Sequence, residues 1–485
     1  FSEVSGGGAG NLAGGKGGLV NWTGGNNAGN LGVQTGGRMN WGGGSVLGSL
    51  SVLGGAAMNW SGGNNLGPIT VASNGVLNIT GGGVKFLRNV LTNAGTVTWS
   101  GGDISEYGPG RVENLAGGLW DIQNDLHIYN NSDDAAYFRN AGTLRKSGGS
   151  GTATITFQLF NSGTVAVQQG LLNFDFGGTI EGTFNAAAGT TVRFFGGSFD
   201  YAIPPVLNGP GTYQFTSGNL ALINNVIPNL QMIGGTVSLG VNFQGGTITN
   251  LAAPALSGNY TVSGTLNCSG GVAGSLTVAN GGLVNWTGGN VSSNFLVLGG
   301  GTVNWSGGTV LSNLSVLGGA TLNWSGGSLG VYGGPANSSL FVASNGVMNL
   351  SGSDLKWLIG GLTNAGTVTW SGSGYINVYN PGRVENLPGA VWEIQNDQRI
   401  VNNSASASYF HNSGTLLKSG GTGTTSVEIP LTNSGLVSVQ LGLLNFFSGG
   451  TIEGTFNAAG GTIVRFSGGS FDYAIPPVLN GPGTY

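Results

Sequence analysis

Charged residues make up only 7% of this 485-residue chain, so the place where they gather is the first candidate for chemistry. Between Asp103 and Lys146 stand Glu106, Arg111, Glu113, Asp121, Asp125, His127, Asp133, Asp134, Arg139 and Arg145. Carboxylates grouped on one face of an extended chain, with arginine among them, could perform general acid and base work on a glycosidic bond. A polysaccharide lyase or glycoside hydrolase is therefore the sharpest enzymatic reading. The chain contains its own comparison. Arg383, Glu385, Glu393 and Asp397 recur at the places of Arg111, Glu113, Asp121 and Asp125, but His127 becomes Arg399, and Asp133 and Asp134 become Ala405 and Ser406. The surviving Arg-x-Glu pair is equally expected of a salt bridge between exposed neighbours, usually worth under about 1 kcal/mol. The expectation is a solvated polar face with no catalytic residue, on a protein that is not an enzyme.

The second candidate is the box Asn-Trp-[Ser/Thr]-Gly-Gly. It occurs at Asn21-Trp22, Asn59-Trp60, Asn285-Trp286, Asn304-Trp305 and Asn323-Trp324, with Asn40-Trp41-Gly42 as a variant. Alternation along the box places Trp on one face of a strand and Asn on the other. The structural reading stacks Trp inward and builds Asn ladders outside, as in-register arrays do. The functional reading turns the tryptophans outward as an aromatic strip for sugar rings. Several boxes are also Asn-x-Ser/Thr sequons. Glycans would crowd at a spacing of about 4.8 Å between coils. The lone Cys268 occupies the Trp position of its own unit and reads as a small core residue. With only two histidines, and without a phosphate loop or a His-Glu-x-x-His motif, no cofactor and no metal is expected.

The elements that carry these residues follow from two nested repeats. Gly196 to Tyr213 recurs as Gly468 to Tyr485, an offset of 485 − 213 = 272 residues. Inside each long copy, Trp22, Trp41 and Trp60, and again Trp286, Trp305 and Trp324, are spaced by 19. Each short unit holds two alternating apolar/polar segments closed by Gly-Gly, which reads as two strands and their turns. Such a unit buries no face alone but does so when stacked on equal neighbours, so the period predicts a solenoid. The expected fold is all-β, a parallel β-solenoid with coils of about 19–22 residues and no substantial helix. Residues 1–213 form long copy one, 214–272 complete it, and 273–485 form copy two, in one continuous solenoid. At about 4.8 Å per coil, the 272-residue repeat would advance roughly 65 Å.

Composition narrows the rest. Ninety-nine glycines with low charge and 39% hydrophobic residues argue against disorder. A net charge of −4 without a basic cluster excludes a nucleic-acid partner. No apolar run approaches the roughly 20 residues of a membrane span. The chain reads as a segment of a longer tandem protein.

The units Asn93-Ala94-Gly95-Thr96-Val97-Thr98-Trp99, Asn140-Ala141-Gly142-Thr143-Leu144 and Asn161-Ser162-Gly163-Thr164-Val165 resemble repeats of bacterial autotransporter and filamentous-haemagglutinin-like adhesins. The resemblance implies a right-handed parallel β-helix, export to the cell surface or medium, and a role in adhesion, stalks or fibres. The expected function is a structural extracellular shaft whose main partner is itself. A carbohydrate-binding adhesin stalk touching surface glycans is the alternative.

Overall fold

The computed structural model describes residues 2–4, 12–131, 136–240, 255–257, 259–332, 338–379, 382–403 and 408–485. Among them every regular element is a strand, and in each part of the chain parallel strands stack into β-solenoid coils, about 22 turns in all. The chain forms two compact units. One comprises Phe1–Leu222 with Ile227–Thr236, the other Ile223–Val226 with Val237–Tyr485.

A coil is built from three strands rather than the two legible in the sequence. Leu19–Trp22 leads to the two-residue strand Asn26–Asn27, then to Leu31–Val33, and the next coil starts at Arg38. Two residues are too few for alternation to be visible, which is why sequence reading overlooks the middle strand. Repetition turns the three positions into three parallel sheets, here called first, second and third. In the first unit the first and second sheets each have 11 strands; in the second unit the three sheets have 11, 9 and 11. Coils also stretch beyond the expected length. Asn114 and Asn140, on successive coils, are 26 residues apart, as are Asn386 and Asn412. The register survives the longer coils: Val112 still pairs with Phe138, and Val384 with Phe410.

Register places like on like. Val20 pairs with Met39, Asn21 with Asn40 and Trp22 with Trp41, and the same letters continue to Asn59 and Trp60. In the second unit Asn285-Trp286 lies on Asn304-Trp305, and that on Asn323-Trp324. In each of these strands the second and fourth residues are buried, and the first and third are more exposed. A buried indole removes roughly 200 Å² from water, about 5 kcal/mol as an upper bound. The tryptophans are therefore a main source of core stability.

The Gly-Gly that closes each box has a steric cause. The indole of one coil lies beneath the turn of the next. A Cβ on Gly327, whose φ is +103°, would sit 2.6 Å from Trp305 Nε1. A Cβ on Gly63, φ +97°, would sit 2.6 Å from Trp41 Nε1. Gly281 has a similar left-handed φ of +77° but nothing within 4 Å of such a Cβ. Gly281→Ala should therefore cost about 1 kcal/mol, from backbone strain alone. Gly327→Ala should cost about 2–4 kcal/mol, because the Cβ would also meet Gly308 O of the preceding coil at 2.7 Å, so both the indole and the backbone must shift. Equal shifts of the denaturation midpoint for the two variants would show that the close approach of the preceding coil carries no weight.

Candidate functional site

The tryptophans of the boxes lie in the core. Trp22, Trp41, Trp60, Trp286, Trp305 and Trp324 are each at most 1% exposed. Trp22 and Trp41 stack with centroids 5.5 Å apart at 9°, and Trp41 and Trp60 at 5.0 Å and 7°. In the second unit Trp286–Trp305 and Trp305–Trp324 stack at 5.2 and 4.5 Å. No sugar can reach these rings. Outside them runs an amide ladder. Asn40 Nδ2 donates to Asn21 Oδ1, Asn59 to Asn40 and Asn78 to Asn59, each at 2.8 Å. Asn285 donates to Asn267 at 2.6 Å, Asn304 to Asn285 at 2.7 Å and Asn323 to Asn304 at 2.8 Å. The amide nitrogens of the sequon residues Asn59, Asn78, Asn285, Asn304 and Asn323 are thus already donors within the ladder.

Cys268 lies in register with Trp286 and is 3% exposed; its thiol faces Gly270 O at 3.3 Å. Burial pushes that thiol up to about 11, so it is an inert thiol at neutral pH.

The polar face expected between Asp103 and Lys146 is split. Arg111 and Glu113 lie on the third sheet, Asp121 lies on the first, and Asp125 lies in the turn that follows it. The expected Arg-x-Glu ion pair gives way to contacts across coils. Glu113 accepts from Tyr137 Oη at 2.6 Å and faces Arg139 at 3.8 Å. Arg111 instead donates to Pro109 O at 3.3 Å, and its guanidinium lies 6.0 Å from the Tyr137 ring. The reason is geometric: residues two apart on a strand are separated by about 6.6 Å, whereas neighbouring coils are about 4.8 Å apart.

Asp121 is held by both forks of Arg145 at 2.9 Å and by Gln123 Nε2 at 2.9 Å. Burial opposes its ionisation, but the hydrogen bonds from Arg145, Ser147 and Gln123 prevail and hold the carboxyl below the usual range. In the second unit Glu393 lies beside Leu417 and takes Ser419 Oγ at 2.5 Å instead. Arg383 lies on the third sheet with Glu385. Asp133 and Asp134 lie outside the described residues, as do Ala405 and Ser406. Among the described residues, Glu113 on the third sheet and Asp121 on the first do not share a face, so these carboxylates do not form a glycosidase pair.

Asp125 and Asp397 belong to a feature that sequence reading missed. Lys146 Nζ is fully buried and donates to Asn124 O, Asp125 Oδ1, Gly148 O and Gly149 O at 2.8, 2.7, 2.7 and 3.0 Å. Lys418 repeats this with Asn396 O, Asp397 Oδ1, Gly420 O and Thr425 Oγ1 at 2.8–3.0 Å. Lys85 donates to Gly81 O, Gly83 O and Gly101 O at 2.8, 2.7 and 3.0 Å. Lys356 reaches Asp354 O at 2.8 Å. Burial pushes Lys85 and Lys356 below the usual lysine range, against the pull of Asp103 and Asp354 respectively. The signal was present in the alternation: Lys146 stands two residues after the buried Leu144, on the inward side. Glycine-rich turns supply the bare carbonyls that make such a site tolerable.

A second ladder was also missed. Asn93, Asn114, Asn140 and Asn161 end successive third-sheet strands, buried, each donating to the next at 2.7 Å. Asn364, Asn386, Asn412 and Asn433 do the same at 2.7–2.9 Å. Its sequence mark was Asn-x-Gly-Thr, which recurs at Asn93, Asn140, Asn161, Asn364 and Asn412 and is degraded at Asn114, Asn386 and Asn433.

The exposed aromatics lie elsewhere. At or next to the second sheet, Phe86 and Tyr107 pair at 5.9 Å, with the Arg88 guanidinium 5.1 Å from the Tyr107 ring. At the matching place in the second unit Trp357 stacks on Tyr379 at 5.5 Å and 25°, and Tyr332, 75% exposed, meets Tyr379 at 5.4 Å and 71°. Trp357 is half-buried, whereas the other ten of the 11 tryptophans are buried.

Among the described residues no group of three or more His, Cys, Asp or Glu could hold a metal ion, and no helix is long and apolar enough to cross a membrane. No protein-family model matches the chain, and no curated protein matches it. Among solved structures it matches the crystal structure of a hyper-glycosylated TibA fragment modified by TibC, at 14% identity, over 84% of this chain and 98% of that one, with a TM-score of 0.12. An overlay that poor adds nothing to the reading of these residues.

The ion pair at Asp121 sets a pH dependence. Its folded-state carboxyl is depressed, so its contribution is present above the unfolded carboxylate range and is lost as pH falls through the lower, folded value. Asp121→Asn should lower the denaturation midpoint at neutral pH and make the acid limb of stability against pH shallower. An unchanged acid limb would show that the Arg145 contact is not felt.

Proposed function

We propose that this chain is a structural β-solenoid segment of a secreted or cell-surface fibre, and that its coils associate end to end. The observation that carries this reading is the register: equivalent strands of successive coils pair like on like, Trp on Trp and Asn on Asn. In Gly196 to Tyr213, Phe199, Tyr201, Leu207 and Tyr213 are 1–5% exposed beneath the following coil. A coil of this kind is satisfied by an equal neighbour stacked upon it, from the same polypeptide or from a second one. An open edge of paired strands is a template for further strands. The resemblance to autotransporter and filamentous-haemagglutinin-like adhesins supports the same assignment, including its place outside the cell.

Electron microscopy at rising protein concentration tests the proposal. Filaments with strands about 4.8 Å apart along the axis are the expected result. Discrete particles at every concentration would refute end-to-end association.

A second reading, a carbohydrate-binding stalk, is favoured by one observation. Aromatic rings that contribute little to the core lie at corresponding places in both units, Phe86 with Tyr107 and Trp357 with Tyr379. Flat, neutral rings offer their faces to the C–H faces of pyranose sugars. Because Trp357 alone among the tryptophans is half-exposed, it reports on its own surroundings. Cellohexaose or mannohexaose should change the tryptophan emission, and Trp357→Phe should abolish the change. Emission unaltered by either sugar would count against this reading.

A further inference from the structure

The third sheet of the second unit brings together three side chains that are dispersed in the sequence. Glu385 stands on the strand Arg383–Asn386, His411 on the next strand Tyr409–Asn412, and Ser413 in the turn that follows it. His411 Nδ1 is 2.9 Å from Glu385 Oε2. On its other side His411 Nε2 is 3.2 Å from Ser413 Oγ. Glu385 takes a second hydrogen bond on Oε1 from Tyr409 Oη at 2.7 Å, which fixes the carboxylate. An ionised carboxylate only accepts, so Nδ1 carries the imidazole proton and Nε2 is left as acceptor. Ser434 Oγ donates to Ser413 Oγ at 3.1 Å, so the Ser413 proton is directed at Nε2. The side chains of His411 and Glu385 are 38% and 25% exposed, so a small reagent reaches the site.

We propose that Ser413, His411 and Glu385 form a nucleophile, base and orienting acid that make the Ser413 hydroxyl an acylation site for activated carboxylic esters and thioesters. Ser413 Oγ bonds to the acyl carbon while its proton passes to His411 Nε2. The carbon–oxygen or carbon–sulfur bond of the leaving group breaks, and His411 returns the proton to the departing alcohol or thiol. Water attacks the serine ester by the same route in reverse, releasing the carboxylic acid and restoring Ser413. Glu385 touches no reacting atom; it is a positioning residue. The backbone N–H groups of Ser413 and Gly414 are already bound to Asn386 O at 2.8 and 3.1 Å. The developing oxyanion therefore has no backbone pair from these two residues. The expected acceleration is that of general-base assistance alone, about 10²-fold over an ordinary exposed serine.

The chain carries its own control. In the first unit Glu113 and Tyr137 keep their places and their 2.6 Å hydrogen bond, but Arg139 stands for His411 and Ala141 for Ser413. The coil therefore folds without the base and the nucleophile, and packing does not require them.

The test uses the whole chain with 4-nitrophenyl acetate, reading nitrophenolate release and the mass of acylated peptides. One acetyl group should appear at Ser413 and at no serine in the first unit. Ser413→Ala should remove it, and His411→Gln should slow it about 10²-fold. Glu385→Gln should lower the acylation rate constant while half-saturation by the reagent stays unchanged, and Glu385→Asp should restore part of that rate. Arg139→His combined with Ala141→Ser should add a second acetyl group within residues 137–146. All these positions are at least partly exposed, so thermal unfolding should be unchanged throughout. Acetylation of Ser413 at the same rate in His411→Gln, or at a rate no greater than that of other exposed serines, would overturn the proposal. So would a double variant that gains no acetyl group.

Discussion

Parallel pairing of successive coils is the constraint on which everything else depends. A short strand has no partner within its own coil, so its N–H and C=O groups are satisfied only by the strands above and below. Once the backbone register is fixed, the side chains have no freedom of pairing: residue meets residue at the same place in the next coil. A large or polar group is then comfortable only if its neighbour is compatible with it. Trp on Trp and Asn on Asn are solutions to that problem, and the 19-residue spacing repeats them. Where the column changes letter, as from Trp60 to Ile79 or from Cys268 to Trp286, the replacement is still apolar and buried.

The same constraint explains how charge enters the core. A lysine pointing inward cannot find a carboxylate within a column of apolar residues. It finds the turn instead, where glycine leaves carbonyl oxygens uncovered, and an aspartate at the corner completes the shell in the Lys146 and Lys418 sites. Unpaired burial of an ammonium would cost several kcal/mol, so these shells are conditions of folding rather than additions to it. The buried asparagines ending the third-sheet strands solve the equivalent problem for the turns between third and first sheets, binding carbonyls such as Leu119 O and Thr143 O while they bind one another.

The exterior is under a weaker constraint, and the two long copies diverge there. Inward residues such as Trp99 and Trp370, or Lys146 and Lys418, are kept. Outward residues vary: Arg139 against His411, Arg145 against Leu417, Phe86 against Trp357. A fixed ladder of coils therefore displays different side chains at equivalent places about 4.8 Å apart. Stacked coils can bring a glutamate, a histidine and a serine into one line without any pocket being built for them.

The sequence by itself determined the fold class, because a period of about 19 residues with alternating apolar positions has one economical solution, the stacked parallel coil. It also determined that Trp22, Trp41 and Trp60 share a face, since alternation and spacing fix which side of a strand each residue occupies. It did not reveal the two-residue middle strand, which is too short to show a period, or the lysine shells, whose ligands are mostly backbone carbonyls that leave no letter in the sequence. Tertiary structure alone decided which charges meet. Glu113 chooses Tyr137 and Arg139 over Arg111, and Glu385 chooses Tyr409 and His411, because the next coil is nearer than the next outward residue of the same strand. Contacts of that kind depend on coil length and corner loops, and the distance along the chain between partners, 24 or 26 residues, carries no sign of the 3 Å between them.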